Sequence, residues 1–141
     1  MKQDKFEYIE KPKSKLKADY DRRVREGKSS FKDFDEYFNW YQNTEKKCHY
    51  CGLKENESQE IVMTGLLKSN RFPQNGQMKR GQARGVWLEV DRPEPKDDYK
   101  LYNVVLCCYF CNNDKSDVFN ENQYRAFSKN RVEYLRELLK K

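Results

Sequence analysis

Apolar and polar positions along the chain follow patterns that predict several helices and two short strands. Residues 29–33 are typical of a helix start, and aromatic side chains then recur every three or four residues. This spacing places them on one helical face, which favours packing into the core over binding of a cofactor. The face consists of Phe31, Phe34, Phe38 and Tyr41, with Tyr37 and Trp40 beside it.

Two further helices are predicted near the ends of the chain. Residues 14–25 favour a helix that Gly27 would end, because glycine accepts the left-handed backbone found after a helix C-terminus. Residues 121–140 favour another helix. Its apolar face would be formed by Leu135, Leu138 and Leu139.

The middle of the chain is dominated by predicted loops and strands. Residues 43–60 are expected to form a cysteine-containing turn and a polar loop, and residues 68–84 a second loop rich in glycine and other breakers. Residues 61–67 are an apolar run of undecided type. Residues 86–91 alternate like a strand and 104–106 predict another, with a proline turn between them. A helix is expected from Asn112 onward.

Composition limits the fold to a small, stapled domain. The 141 residues suit one domain, and 36% are hydrophobic while 37% are charged. A core of that size often needs a metal or a disulfide. Aromatic residues make up 14% of the chain, which argues against disorder.

The charge distribution is compatible with a nucleic acid as a partner. The net charge is +6, and basic side chains supply most of the non-specific affinity for phosphates. Two stretches are candidates for DNA contact, residues 11–28 and the acid-free loop 68–84, although both also suit solvated flexible loops. The basic residues of the loop are Lys68, Arg71, Lys79, Arg80 and Arg84.

No apolar run suggests an export signal or a membrane span, so a cytoplasmic protein with reduced cysteines is expected. The five cysteines form two clusters, and each contains a C-x-x-C turn. Two such turns far apart in sequence can surround Zn²⁺ with four thiolates, Cys48, Cys51, Cys108 and Cys111. A redox pair would not explain the second turn, and disulfides do not suit a chain without an export signal. With all four positions filled, the zinc would be structural.

Two residues near the cysteine pairs have other expected positions. Cys107 is left over by the pairing and is expected to point into the core as a small hydrophobic side chain. His49 could replace one thiolate, but its place inside a C-x-x-C turn favours exposure to solvent.

A further motif begins between the two cysteine clusters and ends just after the second. Asp91-Arg92 is followed by Tyr99 and Asn103, and then by Cys108-x-x-Cys111-Asn112-x-x-Lys115. From Val90 to Lys115, about a fifth of the chain, this order resembles the HNH endonucleases, in particular the subgroup with Asp-Arg, Tyr, Asn and Cys-x-x-Cys-Asn-x-x-Lys.

The resemblance implies an α+β fold with a ββα-metal (HNH) motif, zinc knuckles of four cysteines and flanking helices. The single domain is expected to comprise a basic N-terminal helical region over 1–45, the zinc-stapled core over 46–120 and a C-terminal helix over 121–141. The resemblance also implies a metal-dependent endonuclease that acts on double-stranded DNA. A type II restriction enzyme acting as a homodimer is the leading hypothesis. A phage or mobile-element nicking nuclease and a non-catalytic zinc-containing DNA-binding module are the alternatives.

The resemblance assigns roles to individual residues. Asp91 and Asn112, at the start of the expected helix, would supply oxygen ligands to a catalytic Mg²⁺ or Mn²⁺ ion, since hard cations prefer oxygen. Asn103 would brace the hairpin loop, and Lys115 could hold a phosphate. Arg92 stands where most HNH enzymes have a histidine base; arginine cannot accept a proton but can clamp a phosphate.

A tyrosine takes the catalytic place in this subgroup, and Tyr99 occupies that position, with Tyr102 as a nearby rival. The resemblance also implies a histidine directly before the first cysteine, where this chain has Lys47.

Overall fold

The computed structural model describes residues 6–27, 31–93, 104–116 and 118–140. Short helices surround a two-stranded sheet, which confirms the predicted α+β fold class. The elements in chain order are α1 (Lys13–Arg25), α2 (Phe34–Asn43), α3 (Glu55–Met63), β1 (Glu89–Asp91), β2 (Val105–Cys107), α4 (Tyr109–Lys115) and α5 (Glu121–Leu139).

The N-terminal helices pack through aromatic side chains. α2 begins after Asp33, whose carboxylate accepts a hydrogen bond of 2.9 Å from the Glu36 amide and so caps the helix. Tyr37 is 2% exposed, and its ring centroid lies 5.7 Å from that of Tyr20 on α1. Gly27 follows α1 with φ of +69°, as expected for a glycine after a helix end. The predicted helices of this region are thus confirmed.

α3 corrects the expectation of a polar loop over residues 43–60. Its buried face is largely polar, since Glu55, Ser58 and Gln59 are at most 2% exposed and lie beside the buried Ile61 and Val62. The undecided apolar run contributes the end of this helix through Met63, and Gly65 follows with φ of +75°. The hydrophobic pattern does not reveal α3, because three of its five buried side chains are polar.

The buried polar side chains of α3 hold the backbone that leads into β1. The Glu55 carboxylate accepts from the Leu88 amide at 2.8 Å, and the Ser58 hydroxyl donates to the Gly85 carbonyl at 2.6 Å. The Gln59 amide donates to the Val86 carbonyl at 3.1 Å. These bonds satisfy the buried backbone and fix where the first strand begins.

β1 and β2 form an antiparallel pair, with Glu89 opposite Cys107 and Asp91 opposite Val105. The regular pairing is shorter than the predicted strand over 86–91. α4 follows at once and packs on β1, which completes a ββα unit. The expected helix start at Asn112 is wrong. Cys108 caps α4, the helix begins at Tyr109, and Asn112 is its fourth residue.

α5 packs against α3, with Val132 and Leu135 buried. Across the described ranges, no helix combines the length and the apolar character needed to cross a membrane.

Candidate catalytic and metal sites

Four cysteines from distant parts of the sequence meet in one cluster. The sulfur atoms of Cys48, Cys51, Cys108 and Cys111 all lie within 4.8 Å of one another, and the Cys51 and Cys108 sulfurs are 3.8 Å apart. A tetrahedron with Zn–S bonds of about 2.3 Å has edges of roughly 3.8 Å. The cluster can therefore hold a metal ion such as zinc, in agreement with the spacing of the two C-x-x-C turns.

Local backbone structure shapes both turns. In the first turn the Cys48 amide donates to the Leu53 carbonyl at 2.8 Å, and Gly52 has φ of +80°, which glycine adopts without strain. In the second turn the Cys108 sulfur accepts from the Cys111 amide at 3.4 Å. The His49 amide donates to the Leu106 carbonyl at 2.9 Å and thereby joins the first turn to β2.

α5 supplies cationic side chains to the cluster. Arg131 lies 3.1 Å from the Cys111 sulfur, and Arg136 donates to the Gly52 carbonyl at 2.9 Å. A guanidinium beside a thiolate stabilises its negative charge. Hydrogen bonds within the cluster lower the pKa of the Cys48 thiol and raise that of the Cys108 thiol.

Cys107 and His49 lie where the sequence predicts, in the core and on the surface respectively. Cys107 is completely buried, and burial raises the pKa of its thiol well above the usual range. His49 is on the surface, where its ring bonds the Glu121 carboxylate of α5.

The candidate catalytic carboxylate is held from two sides. Asp91 is 8% exposed and its Oδ2 accepts a hydrogen bond of 2.5 Å from the Tyr50 hydroxyl. The Lys115 ammonium lies 3.2 Å from the same oxygen and donates to the Arg92 carbonyl at 2.8 Å. Burial, and then the bond to Asp91, raise the pKa of Tyr50.

Lys115 corrects one sequence expectation. Its side chain is fully buried and its ammonium is directed at Asp91 and at backbone. A phosphate contact by Lys115 is therefore not supported by the structure. The residue instead compensates the charge of a buried carboxylate.

A second acidic residue of β1 was not among the predicted site residues. Glu89 lies two positions before Asp91, so it projects from the same side of the strand. Its carboxylate accepts bonds of 2.8 and 2.9 Å from Arg84 and a bond of 2.7 Å from the Asn112 amide. The hydrogen bonds with Glu89 raise the pKa of the Arg84 guanidinium. Alternation along the strand was the signal that could have identified it.

An open cleft of about 510 Å³ lies beside this acidic strand. Its walls come from α1, from the end of the loop over 68–84 and from β1 and α4. The lining includes Lys11, Lys15, Arg22, Arg23, Arg84, Glu89 and Asn112. Both stretches expected to contact DNA therefore border one cleft that also contains candidate catalytic residues.

The remaining predicted site residues have mixed positions. Lys68, Arg71, Lys79 and Arg80 are all exposed, and Arg71 in addition donates to the Tyr109 hydroxyl at 2.9 Å. Arg92 is half-buried directly after β1. Tyr99, Tyr102 and Asn103 lie outside the described residues.

Comparisons with known proteins give one informative likeness. No family model matches the chain, and no curated protein matches it. Among solved structures, the chain is similar to the rare-cutting HNH restriction endonuclease PacI, with a TM-score of 0.63 and 20% identity. The match covers 86% of this chain and 77% of that one. The likeness establishes the HNH-type fold that the sequence resemblance implied.

Proposed function

We propose that this protein is a metal-dependent DNA endonuclease that hydrolyses phosphodiester bonds. The observation that carries the proposal is the ββα unit itself. Its strand presents Glu89 and Asp91 to the residues Asn112 and Lys115 of α4, beside a cleft with basic walls. A DNA backbone is the polyanion that such a cleft attracts.

The donor atoms of this unit suit a hard divalent cation. Asp91 and Asn112 would hold Mg²⁺ or Mn²⁺, because carboxylate and amide oxygens are the ligands these ions prefer. The side-chain nitrogen of Asn112 donates to Glu89, so the side-chain oxygen takes no part in that bond. When bound, the cation supplies Lewis-acid stabilisation of negative charge on the scissile phosphate.

Other residues of the chain would bind substrate and move the proton. Arg92 binds a phosphate oxygen, since a guanidinium is a permanent cation with several donors. Tyr99 activates the attacking water, or its oxygen attacks phosphorus, expels the 3′ oxygen and forms a phosphotyrosine ester that water then hydrolyses. Lys115 compensates the charge of Asp91 and keeps its carboxylate at the strand end. In the proposed enzyme the four-cysteine cluster holds a structural Zn²⁺ that fixes the ββα unit.

The proposed biological class is a type II restriction endonuclease acting as a homodimer. One active site cuts one strand, so a double-strand cut requires two copies. The similar solved structure is itself a restriction endonuclease, which supports this class over a nicking nuclease.

The test is cleavage of supercoiled plasmid and phage DNA by the zinc-loaded protein, with Mg²⁺ and with EDTA. We expect discrete fragments that require the divalent ion. Asp91→Asn should reduce the cleavage rate roughly 100-fold or more, because a charged group that acts in the transition state is lost. Asn112→Ala is a second variant at a half-buried site. Asp35→Asn, an exposed carboxylate on α2, is the matched control.

Each outcome distinguishes the candidate functions. Nicked circles alone would favour a nicking nuclease over the restriction enzyme. DNA binding without cleavage under Mg²⁺ or Mn²⁺ would favour the non-catalytic module. Undiminished cleavage by both site variants would refute the assignment of Asp91 and Asn112.

A further inference from the structure

Tyr50 links the cysteine cluster to the candidate catalytic strand. It lies between the two cysteines of the first turn and is 5% exposed. Its hydroxyl donates to Asp91 at 2.5 Å across 41 positions of sequence. No assignment made from the sequence includes Tyr50 in the site.

The position of the Tyr50 side chain is set by its surroundings. Its ring meets that of Tyr124 on α5 edge-on at 5.5 Å and that of His49 at 5.2 Å. The backbone on either side belongs to the cysteine turn, which the bond from His49 to Leu106 joins to β2. Because these contacts already fix the ring, the Tyr50 side chain loses little further entropy when its hydroxyl bonds Asp91.

The contact matters most for the orientation of the carboxylate. Tyr50 and Lys115 both bind Oδ2 of Asp91, so together they define the rotation of the group at the end of β1. The Lys115 ammonium also lies 5.8 Å from the Tyr50 ring, which places the three residues in one buried unit. Hydrogen-bond partners of metal ligands commonly orient those ligands.

We propose that Tyr50 is a positioning residue of the active site, which orients Asp91 from within the metal-binding turn. The inference rests on the proposed function, because it takes Asp91 as a ligand of the catalytic ion. Through this hydrogen bond the cysteine cluster sets the geometry of the catalytic carboxylate as well as stabilising the fold.

The test compares Tyr50→Phe with the parent protein. The substitution keeps the aromatic packing and removes only the hydroxyl. Tyr8→Phe is the matched control, because the Tyr8 hydroxyl also bonds a buried carboxylate, that of Glu55. Zinc content by elemental analysis and a thermal melt establish that each variant is folded and loaded.

Three readouts then separate positioning from a merely structural contribution. The first is Mn²⁺ affinity of the zinc-loaded protein without DNA, by electron paramagnetic resonance. The second is the ¹³C resonance of the Asp91 carboxyl group, and the third is the division of the activity loss between kcat and KM. For Tyr50→Phe we expect Mn²⁺ affinity and kcat to fall roughly 10- to 100-fold, with KM for DNA and zinc content unchanged. The Asp91 resonance should shift in Tyr50→Phe and stay in place in Tyr8→Phe.

Parent-like Mn²⁺ affinity and an unshifted Asp91 resonance in Tyr50→Phe would overturn the positioning role even if the parent cuts DNA. A parent that binds Mn²⁺ more tightly than Tyr50→Phe yet cuts no DNA would support the positioning role and refute the nuclease. A parent without measurable Mn²⁺ binding would overturn both.

Discussion

Cys107 and Cys108 are adjacent in sequence but have opposite surroundings. Cys107 ends β2 and is enclosed by the core, where burial raises the pKa of its thiol. Cys108 caps α4 and its sulfur lies 3.8 Å from that of Cys51 in the cluster. Of these two residues, Cys108 alone has its sulfur among the four that surround the candidate metal position, so Cys108 is the one placed to bind a metal.

The same substitution at the two positions tests this difference. Cys107→Ala should retain about one equivalent of zinc and lose about 1 kcal/mol of unfolding free energy, because a small buried side chain is truncated. Cys108→Ala should lose most of the zinc and melt at a much lower temperature, since one thiolate is missing. Elemental analysis and thermal unfolding measure both effects. Equal zinc retention by the two variants would contradict the ligand assignment.

Individual residues also show which parts of the site could be predicted from the sequence and which could not. The C-x-x-C spacing was enough to predict the four cysteines, because a metal-binding turn is a local motif. The burial of Lys115 and the bond from Tyr50 to Asp91 depend on the packing of α4 and the first cysteine turn against β1. Such contacts over long sequence separations have no local signature, so Lys115 was misassigned and Tyr50 was not found.

At the scale of elements, α3 bonds both the segment before α1 and the segment before β1. Gln59 is fully buried and its side chain bonds both the amide and the carbonyl of Ile9, at 2.7 and 2.9 Å, besides the Val86 carbonyl. The Trp87 indole also donates to the Ile9 carbonyl at 2.9 Å. One side chain thus joins the segment before α1 to the backbone before β1.

Gln59→Ala should destabilise the protein by about 3 kcal/mol, because it removes three hydrogen bonds to the backbone of Ile9 and Val86. The Ile9 amide should also lose its protection from hydrogen exchange. Urea unfolding and exchange measured by NMR test the two effects. Gln42→Ala, at an exposed position of α2, should change neither. Retained protection of the Ile9 amide in the Gln59 variant would show that the Gln59 hydrogen bonds do not hold the segment before α1 in place.

Elements with an apolar stripe were predictable, as the aromatic face of α2 and the C-terminal helix demonstrate. α3 was missed because its buried face contains Glu55, Ser58 and Gln59. Their burial is favourable only because the backbone at 85–88 supplies partners, and a local pattern does not encode those partners.

At the scale of the molecule, the fold brings two basic stretches to one cleft. α1 and the loop over 68–84 are far apart in sequence, yet both line the opening beside Glu89 and Asn112. Many of these cations also have protein partners, such as Lys11 with Asp19 at 2.6 Å and Arg84 with Glu89. The net charge alone therefore overstates how many side chains are available to phosphates.

Lys15 and Arg22 are exposed cations of α1 on the wall of the cleft, and both can be removed to test DNA binding by this surface. Arg22 also lies 3.5 Å from Asp19, an ion pair that is exposed and therefore weak. Each cation that neutralises a phosphate releases a counterion and adds about 0.9 to the slope of log affinity against log salt concentration. The double variant Lys15→Ala/Arg22→Ala should therefore weaken binding at low salt and reduce that slope by about 2. Fluorescence anisotropy of a labelled duplex at several salt concentrations measures both quantities.

The matched control is Lys129→Ala/Lys140→Ala, which removes the same charge from exposed positions of α5 and its end. Because that surface lies outside the cleft lining, we expect the slope to stay within a few tenths of the parent value, since only the long-range field changes. Equal losses in the two double variants would mean that affinity follows net charge alone. A loss confined to the α1 variant would place the DNA backbone along the cleft, next to the strand that bears Asp91.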